Sequence, residues 1–337
     1  RAALAAGANP YTNLTLDGLA ELLVAEGSED QIRYISPVDW HEVETVDAVV
    51  TIWSETNTRS FTCADAGRHA ALISTRRRLS NRRWERIAAG EMLWCGTLFP
   101  THAHAQEAEM SLGDYEDFYF GACHADVDDP ASHWRETARS LEARADELAA
   151  VRELRIVGPD TDLTVGVEGR TWLAADGHFN MPDGEVFTSP VETATRGEIR
   201  YTYPALFQGR EVDDVRLRFE NGEVVAAEAS TGGAYLDELL DLARGARILG
   251  EVAFGGNYEI DRFTRNILLD EKIGGTMHLA LGSAFPQAGG SNTSALHWDM
   301  ICDLREGGEV YADGELVWRS GEFLEEPAGL AAAGPGG

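Results

Sequence analysis

Residues 215–227 read VRLRFENGEVVAA, two runs in which apolar and polar residues alternate on either side of Asn221-Gly222. Period-two alternation fits a strand with one buried face, and Asn-Gly supplies the positive φ that a two-residue hairpin turn needs at both central positions. The stretch therefore predicts an antiparallel hairpin of 215–220 with 223–227. The same texture runs through everything after Arg155. Short strands are predicted at 163–167, 198–203, 248–253, 276–281 and 295–301, with a second hairpin over 309–318 turning at Asp313-Gly314. One helix, 235–243, ends at Gly245.

Upstream the pattern changes. A helix over 16–25, a strand over 48–53, a long helix over 64–89 and a buried strand over 91–98 alternate in the manner of an α/β layer. Between Trp134 and Val151 the apolar positions Trp134, Ala138, Leu141, Ala145 and Leu148 step by four and three, which gives one stripe on an amphipathic helix. The expected fold is an α/β N-terminal domain over 1–150, with an open, mostly parallel sheet. An α+β domain with a mixed, hairpin-rich sheet follows over 151–325, then a disordered tail over 326–337. The opening at Arg1, in mid-pattern and without a methionine, reads as a chain lacking residues at its front.

The charge is lopsided: 57 Asp+Glu against 28 Lys+Arg, for a net −29. Such a surface repels nucleic acid and anionic lipid, so neither is an expected partner. It would stay hydrated in concentrated salt, where screening shortens self-repulsion to roughly 3 Å at about 1 M, and this points to a halophilic source. Lys272 is the sole lysine, so it stands out from an otherwise arginine-based set of cations. Within so acidic a chain the arginine-rich segment 76–86 is expected to pair with carboxylates. Cys63, Cys95, Cys123 and Cys302 show no metal-knuckle spacing, and with no apolar run of membrane-spanning length the chain reads as cytoplasmic.

The chemistry concentrates in residues 270–299, DEKIGGTMHLALGSAFPQAGGSNTSALHWD. On a strand, His297 and Asp299 would share one face while Trp298 packs into the other. His278 lies in a strand-like run where a lone histidine is an awkward core residue. Glu185 and Glu251 each sit in a Gly-Glu-Val step entering an apolar run, and a buried carboxylate there requires a cation or several donors. With Glu271 the set holds four carboxylates and two imidazoles. That exceeds the needs of one zinc and fits two divalent ions sharing a bridging carboxylate and a water.

In chain order, NMPDGEVFT (180–188), GEVA (250–253), DEKIGGT (270–276), HLALG (278–282), GGSN (289–292) and SALHWD (294–299) resemble the thermophilic metalloaminopeptidases, the group of aminopeptidases T and S. The resemblance extends over essentially the whole chain. It implies two domains, the second binding two divalent metals (zinc, cobalt, manganese or magnesium) in a cavity, commonly in a homodimer that cleaves N-terminal residues from short peptides. Glu185, Glu251, His278, His297 and Asp299 fall on the metal-ligand positions of that family. Glu271 falls on the acidic position before the first histidine, as a further ligand or a neighbour of one. The implied proton carrier is Glu271 or Glu251.

One departure stands out: Phe285 occupies the place of a tyrosine thought to assist catalysis in that family. Loss of one hydrogen-bond donor to a developing oxyanion typically costs about 10²–10³ in rate, and Lys272 is a candidate to replace it. The interval between His278 and His297 also looks shorter than in better-known members. Two other readings use the same residues. His278, His297 and Asp299 could hold a single Fe²⁺ for a ring-cleaving dioxygenase, or the chain could be a non-catalytic metal-binding relative. His102-Ala103-His104 matches the His-x-His of amidohydrolase barrels, but the chain lacks the eight strand–helix units that fold requires. Structural roles are expected there, and for His41, His69, His124, His133 and His178.

Overall fold

The computed structural model describes residues 1–324; the tail expected at 326–337 lies outside them. The chain divides into two compact units, one of Arg1–Val49 with Glu55–Leu93, the other of Val50–Ser54 with Trp94 onward.

The first unit is mainly helical, with Leu19–Glu26, Glu29–Ile32, Pro37–Thr45 and the long Ala66–Ala88. Ser28 and Gln31 form a capping box, and Ser36 and Asp65 cap the two helices that follow, which supplies partners for N–H groups left open at helix starts. A small core gathers Val24, Ile32 and Leu72. The arginine-rich segment finds its carboxylates within this unit. Arg76 meets Asp39 at 2.7 Å, and Arg82 grips both oxygens of Glu44 at 2.7 and 2.8 Å. Buried Arg86 donates to the carbonyls of Val43 and Val46 at 2.8 and 2.9 Å.

The second unit takes in most of the strands Ala48–Trp53 and Leu93–Leu98, which form a three-stranded sheet with Asn180–Met181, the last two running parallel. Two short helices that the sequence pattern did not reveal, His102–Glu107 and Leu112–Ala122, pack Ala105, Tyr115 and Tyr119 against Leu98, Leu269 and Ile273. They place His102 and His104 on a helix, where residues two apart do not face each other. His104 is buried against Tyr115, with ring centroids 6.2 Å apart. The amphipathic helix spans Pro130–Leu148 and buries Leu141, Ala145 and Leu148.

Two large antiparallel sheets follow, with a two-stranded ribbon of Ala205–Phe207 and Arg210–Val212 and the helix Gly233–Leu240. Eight strands, among them the predicted hairpin Arg216–Glu220 with Glu223–Glu228, form one. The other holds five, in the order His297–Asp303, Thr276–Gly282, Leu249–Gly255, Glu185–Thr188 and Leu173–Ala175. Asn221 and Gly222 both take positive φ, as do Asp313 and Gly314 at the second hairpin. A single apolar core draws Leu154, Ile156, Leu163, Val165, Leu217 and Phe219 from the larger sheet. From the smaller it takes Val186, Val252, Phe254, Leu279, Trp298 and Met300. Alternation along each strand then dictates that the remaining residues of the smaller sheet point away from this core.

Candidate metal centre

Register brings those outward residues together. Gly255 pairs with Glu185, Glu251 with Ala280, Ala253 with His278, Ala280 with Asp299 and Gly282 with His297. Cross-strand partners share a face, so Glu185, Glu251, His278, His297 and Asp299 converge on one side of four adjacent strands. Glu251 reaches that side through an irregularity: the register slips between Leu249 and Glu251, with Leu249 in the core and Glu251 out. The extra residue is Gly250, where a Cβ would lie 2.1 Å from the Ser283 carbonyl oxygen. Only glycine fits such an approach of two backbones.

Among these side chains the spacings are short. Glu251 Oε1 is 3.6 Å from His278 Nε2, and Oε2 is 3.3 Å from His297 Nε2. Glu185 Oε2 lies 3.3 Å from His278 Nε2, and Asp299 Oδ1 lies 3.5 Å from His297 Nε2. His297 Nδ1 meets the Ser283 carbonyl at 2.9 Å, which turns Nε2 toward the carboxylates. Glu271 and Lys272 enter from the segment just before the His278 strand. Lys272 Nζ contacts Glu271 Oε1, Glu185 Oε1 at 3.3 Å and Asp183 Oδ1 at 3.6 Å. Asp270 turns elsewhere and accepts from Thr264 N and Oγ1 at 2.7 and 2.8 Å; burial pushes its carboxyl up to about 7. Phe285 stands edge-on to the His297 ring at 5.5 Å and to Phe187 at 5.0 Å.

Exposure grades across the site. The His278 side chain is 1% exposed and Glu251 5%, whereas His297 is 34% exposed. The open side is therefore at His297. Three carboxylates, those of Asp183, Glu185 and Glu271, crowd the Lys272 ammonium, while Glu251 and Asp299 face the imidazoles. Burial lifts the Glu185 carboxyl above its usual range, while Lys272 and His278 pull it down. Burial would lower the His278 imidazole, but Glu251 and Glu185 outweigh it and hold the ring at about 10. His297 is likewise raised against burial, by Asp299 and Glu251. Without metal, both imidazoles are thus held as cations among the carboxylates.

Three groups of side chains offer ligand atoms within 4.8 Å of one another: Glu185–Glu251–His278, Glu251–His297–Asp299 and Glu271–His278–Asp299. Glu185 Oε2 and Asp299 Oδ1 are buried without a hydrogen bond. Each faces an imidazole instead, at 3.3 and 3.5 Å, and carboxylates and imidazoles in this arrangement suit a divalent metal in place of the imidazole protons. All six residues picked out as ligands by sequence thus lie together. Asp183 was missed: in Met-Pro-Asp-Gly it reads as a solvated turn residue, and no local pattern announces that it is fully enclosed.

Comparison with known proteins identifies the family. The model of the thermophilic metalloprotease (M29) family matches residues 1–323. The chain is 32% identical over 282 residues to aminopeptidase 2 of Geobacillus stearothermophilus, covering 72% of this chain and 68% of that protein. To aminopeptidase T of Thermus aquaticus it is 32% identical over 258 residues, covering 69% of this chain and 62% of that one. The matched region thus spans about two thirds of the length of these relatives. The solved structure of wild-type AmpT from Thermus thermophilus superposes with a TM-score of 0.81 at 25% identity, over 96% of this chain and 89% of that one. A 2,5-dihydroxypyridine dioxygenase from Pseudomonas putida KT2440 superposes with a TM-score of 0.55 at 13% identity, over 89% and 98%, which speaks for a shared fold alone. Among the described residues no helix is long and apolar enough to cross a membrane. With the family model matched along nearly its whole length, this chain belongs to the thermophilic metalloprotease family M29.

Proposed function

We propose that the chain is a metal-dependent aminopeptidase that removes N-terminal residues from short peptides. Glu185, Glu251, Glu271, His278, His297 and Asp299 would hold two divalent cations, drawn from zinc, cobalt, manganese or magnesium. The observation that carries this reading is the place of Glu251. Its two oxygens face different imidazoles, at 3.6 and 3.3 Å, and it is the one residue common to the Glu185–His278 and His297–Asp299 groups. Charge supports the same number: five carboxylates against one ammonium, with imidazoles neutral as ligands, leave four negative charges for two divalent ions to match.

Bound ions would supply a water of lowered pKa and polarise the scissile carbonyl. The protein's own groups do the rest. Substrate approaches from the side of His297, the most open of the six ligands. Glu251, enclosed between two imidazoles, is committed to orientation. Glu271 is more open, at 17% against 5% for Glu251, and spends Oε1 on Lys272. It is the better placed carboxylate to take a proton and return it to the leaving amine. The family resemblance and the aminopeptidase names of the relatives support the peptide substrate.

The single-iron dioxygenase reading has less support. None of the three ligand groups unites His278, His297 and Asp299. One experiment separates the readings: elemental counting of metal per chain, followed by hydrolysis of a dipeptide panel in molar salt with Zn²⁺, Co²⁺ or Mn²⁺, with and without chelator. Two ions per chain and chelator-sensitive cleavage are expected. One iron per chain with oxygen uptake on an aromatic substrate would sink the peptidase, and cleavage absent with every metal, even after Phe285→Tyr, would favour a non-catalytic relative.

A further inference from the structure

We propose that Lys272 and Asp183 form a built-in charge-setting pair that tunes how strongly the metal centre holds its ions, with neither residue acting as a ligand. This rests on the metal-binding reading above. Lys272 Nζ is fully enclosed, and its neighbours at contact distance are three carboxylates: Glu271 Oε1, Glu185 Oε1 at 3.3 Å and Asp183 Oδ1 at 3.6 Å. Glu185 is divided between two sides, Oε1 toward the ammonium and Oε2 toward His278 at 3.3 Å. The ammonium therefore stands behind the ligand carboxylates, on the side away from the imidazoles.

Asp183 stands one step farther back. It is fully buried and belongs to none of the three ligand groups. Its Oδ2 accepts from Gly177 N at 3.2 Å and Asn180 N at 3.4 Å, while Oδ1 has no hydrogen bond and faces Lys272. Asn257 stitches the two segments together: its backbone N–H donates to the Lys272 carbonyl at 3.1 Å, and its Nδ2 donates to the Asp183 carbonyl at 2.9 Å. The backbones that carry the pair are thus tied together, and both side chains are enclosed. An ammonium so occupied is a poor donor to an oxyanion.

Two opposed electrostatic effects follow. A fixed ammonium beside the ligands stabilises the metal-free carboxylate cluster and repels incoming divalent ions; Asp183 offsets that repulsion. In a partly screened interior such charges still act strongly over a few ångströms. Removing one partner should therefore change metal affinity in the opposite sense to removing the other. A packing role for the two residues would instead weaken metal binding in both cases.

The test uses the full chain as wild type, Lys272→Met and Asp183→Asn, with Zn²⁺ titrated in competition against a chelator and thermal midpoints read metal-free and zinc-loaded. Lys272→Met should bind zinc about tenfold tighter or more, with a metal-free midpoint that falls and is largely recovered by zinc; Asp183→Asn should bind about tenfold weaker. Shifts of the same sign in both variants, or no shift in either, overturn the pair. Lys272→Met that folds only in the presence of zinc supports it; failure to fold even with zinc overturns it in favour of packing. If the wild type takes up no zinc, the metal-centre reading itself falls. If the wild type binds while the variants disobey the opposite signs, only the pair falls.

Discussion

The two faces of the five-stranded sheet are made from alternate residues of the same strands, yet they do opposite work. One face carries Val186, Val252, Phe254, Leu279, Trp298 and Met300 into the core. Its neighbour carries Glu185, Glu251, His278, His297 and Asp299 at spacings of 3.3 to 3.6 Å. Burial stabilises the first face and penalises the second, since each enclosed carboxylate loses hydration that only a cation or donor can replace. The strands are rigid because of one face, and that rigidity lets the other hold like charges together. The comparison predicts that substitutions will separate by face: activity without stability on one side, stability first on the other.

Glu251→Gln should show the largest effect. It removes the carboxylate that the Glu185–His278 and His297–Asp299 groups share, and kcat/KM should fall by about 10⁴, the upper end for loss of a positioned catalytic group. The metal-free thermal midpoint should fall only modestly, because the two imidazoles that Glu251 pairs with can shed their protons once it is neutral. A midpoint that fell by many degrees would erase the distinction between the faces. Trp298, two strands away and on the opposite face, should do the reverse. Trp298→Ala empties a fully buried site and should cost about 3–5 kcal/mol of stability in denaturant unfolding, with metal stoichiometry intact in the fraction that stays folded. Trp298→Phe should cost far less, since the indole Nε1 makes no hydrogen bond to lose.

Gly250 is where the faces are set against each other, and it also marks the limit of what the sequence shows. Strict alternation would put residues 249 and 251 on one face; the slip at Gly250 sends Leu249 to the core and Glu251 to the site. Gly250→Ala should push the strand off the Ser283 carbonyl, at about 1–3 kcal/mol of overpacking, and lower metal affinity as well as stability. Alternation and turn residues made both hairpins, the His297/Trp298/Asp299 division and the long strands legible, because those signals are local. The Glu185–Thr188 strand was not, since four residues next to a Pro-Asp-Gly turn carry too little pattern. Nor were the helices His102–Glu107 and Leu112–Ala122, nor enclosed Asp183. Their burial comes from residues distant in the chain. Six ligands were recognisable by type and motif, but that five of them share a face depends on register, which no single stretch states.

Phe285→Tyr tests the comparison most gently, at the open edge of the charged face. The Phe285 ring stands edge-on to His297 at 5.5 Å and to Phe187 at 5.0 Å, so an apolar pair borders the most exposed ligand. A hydroxyl on that ring would add one donor close to where charge develops on a scissile carbonyl. A well-placed donor of that kind is worth about 10²–10³ in rate. One added without supporting hydrogen bonds should recover about tenfold in kcat, with KM and the thermal midpoint little changed. If kcat stays level while KM rises, the ring's part is to hold an apolar substrate side chain, and the donor to the oxyanion comes from another group. A fall in thermal midpoint would instead mean that Phe285 belongs to the stabilising side of the sheet, and the division by face would have to be redrawn at that edge.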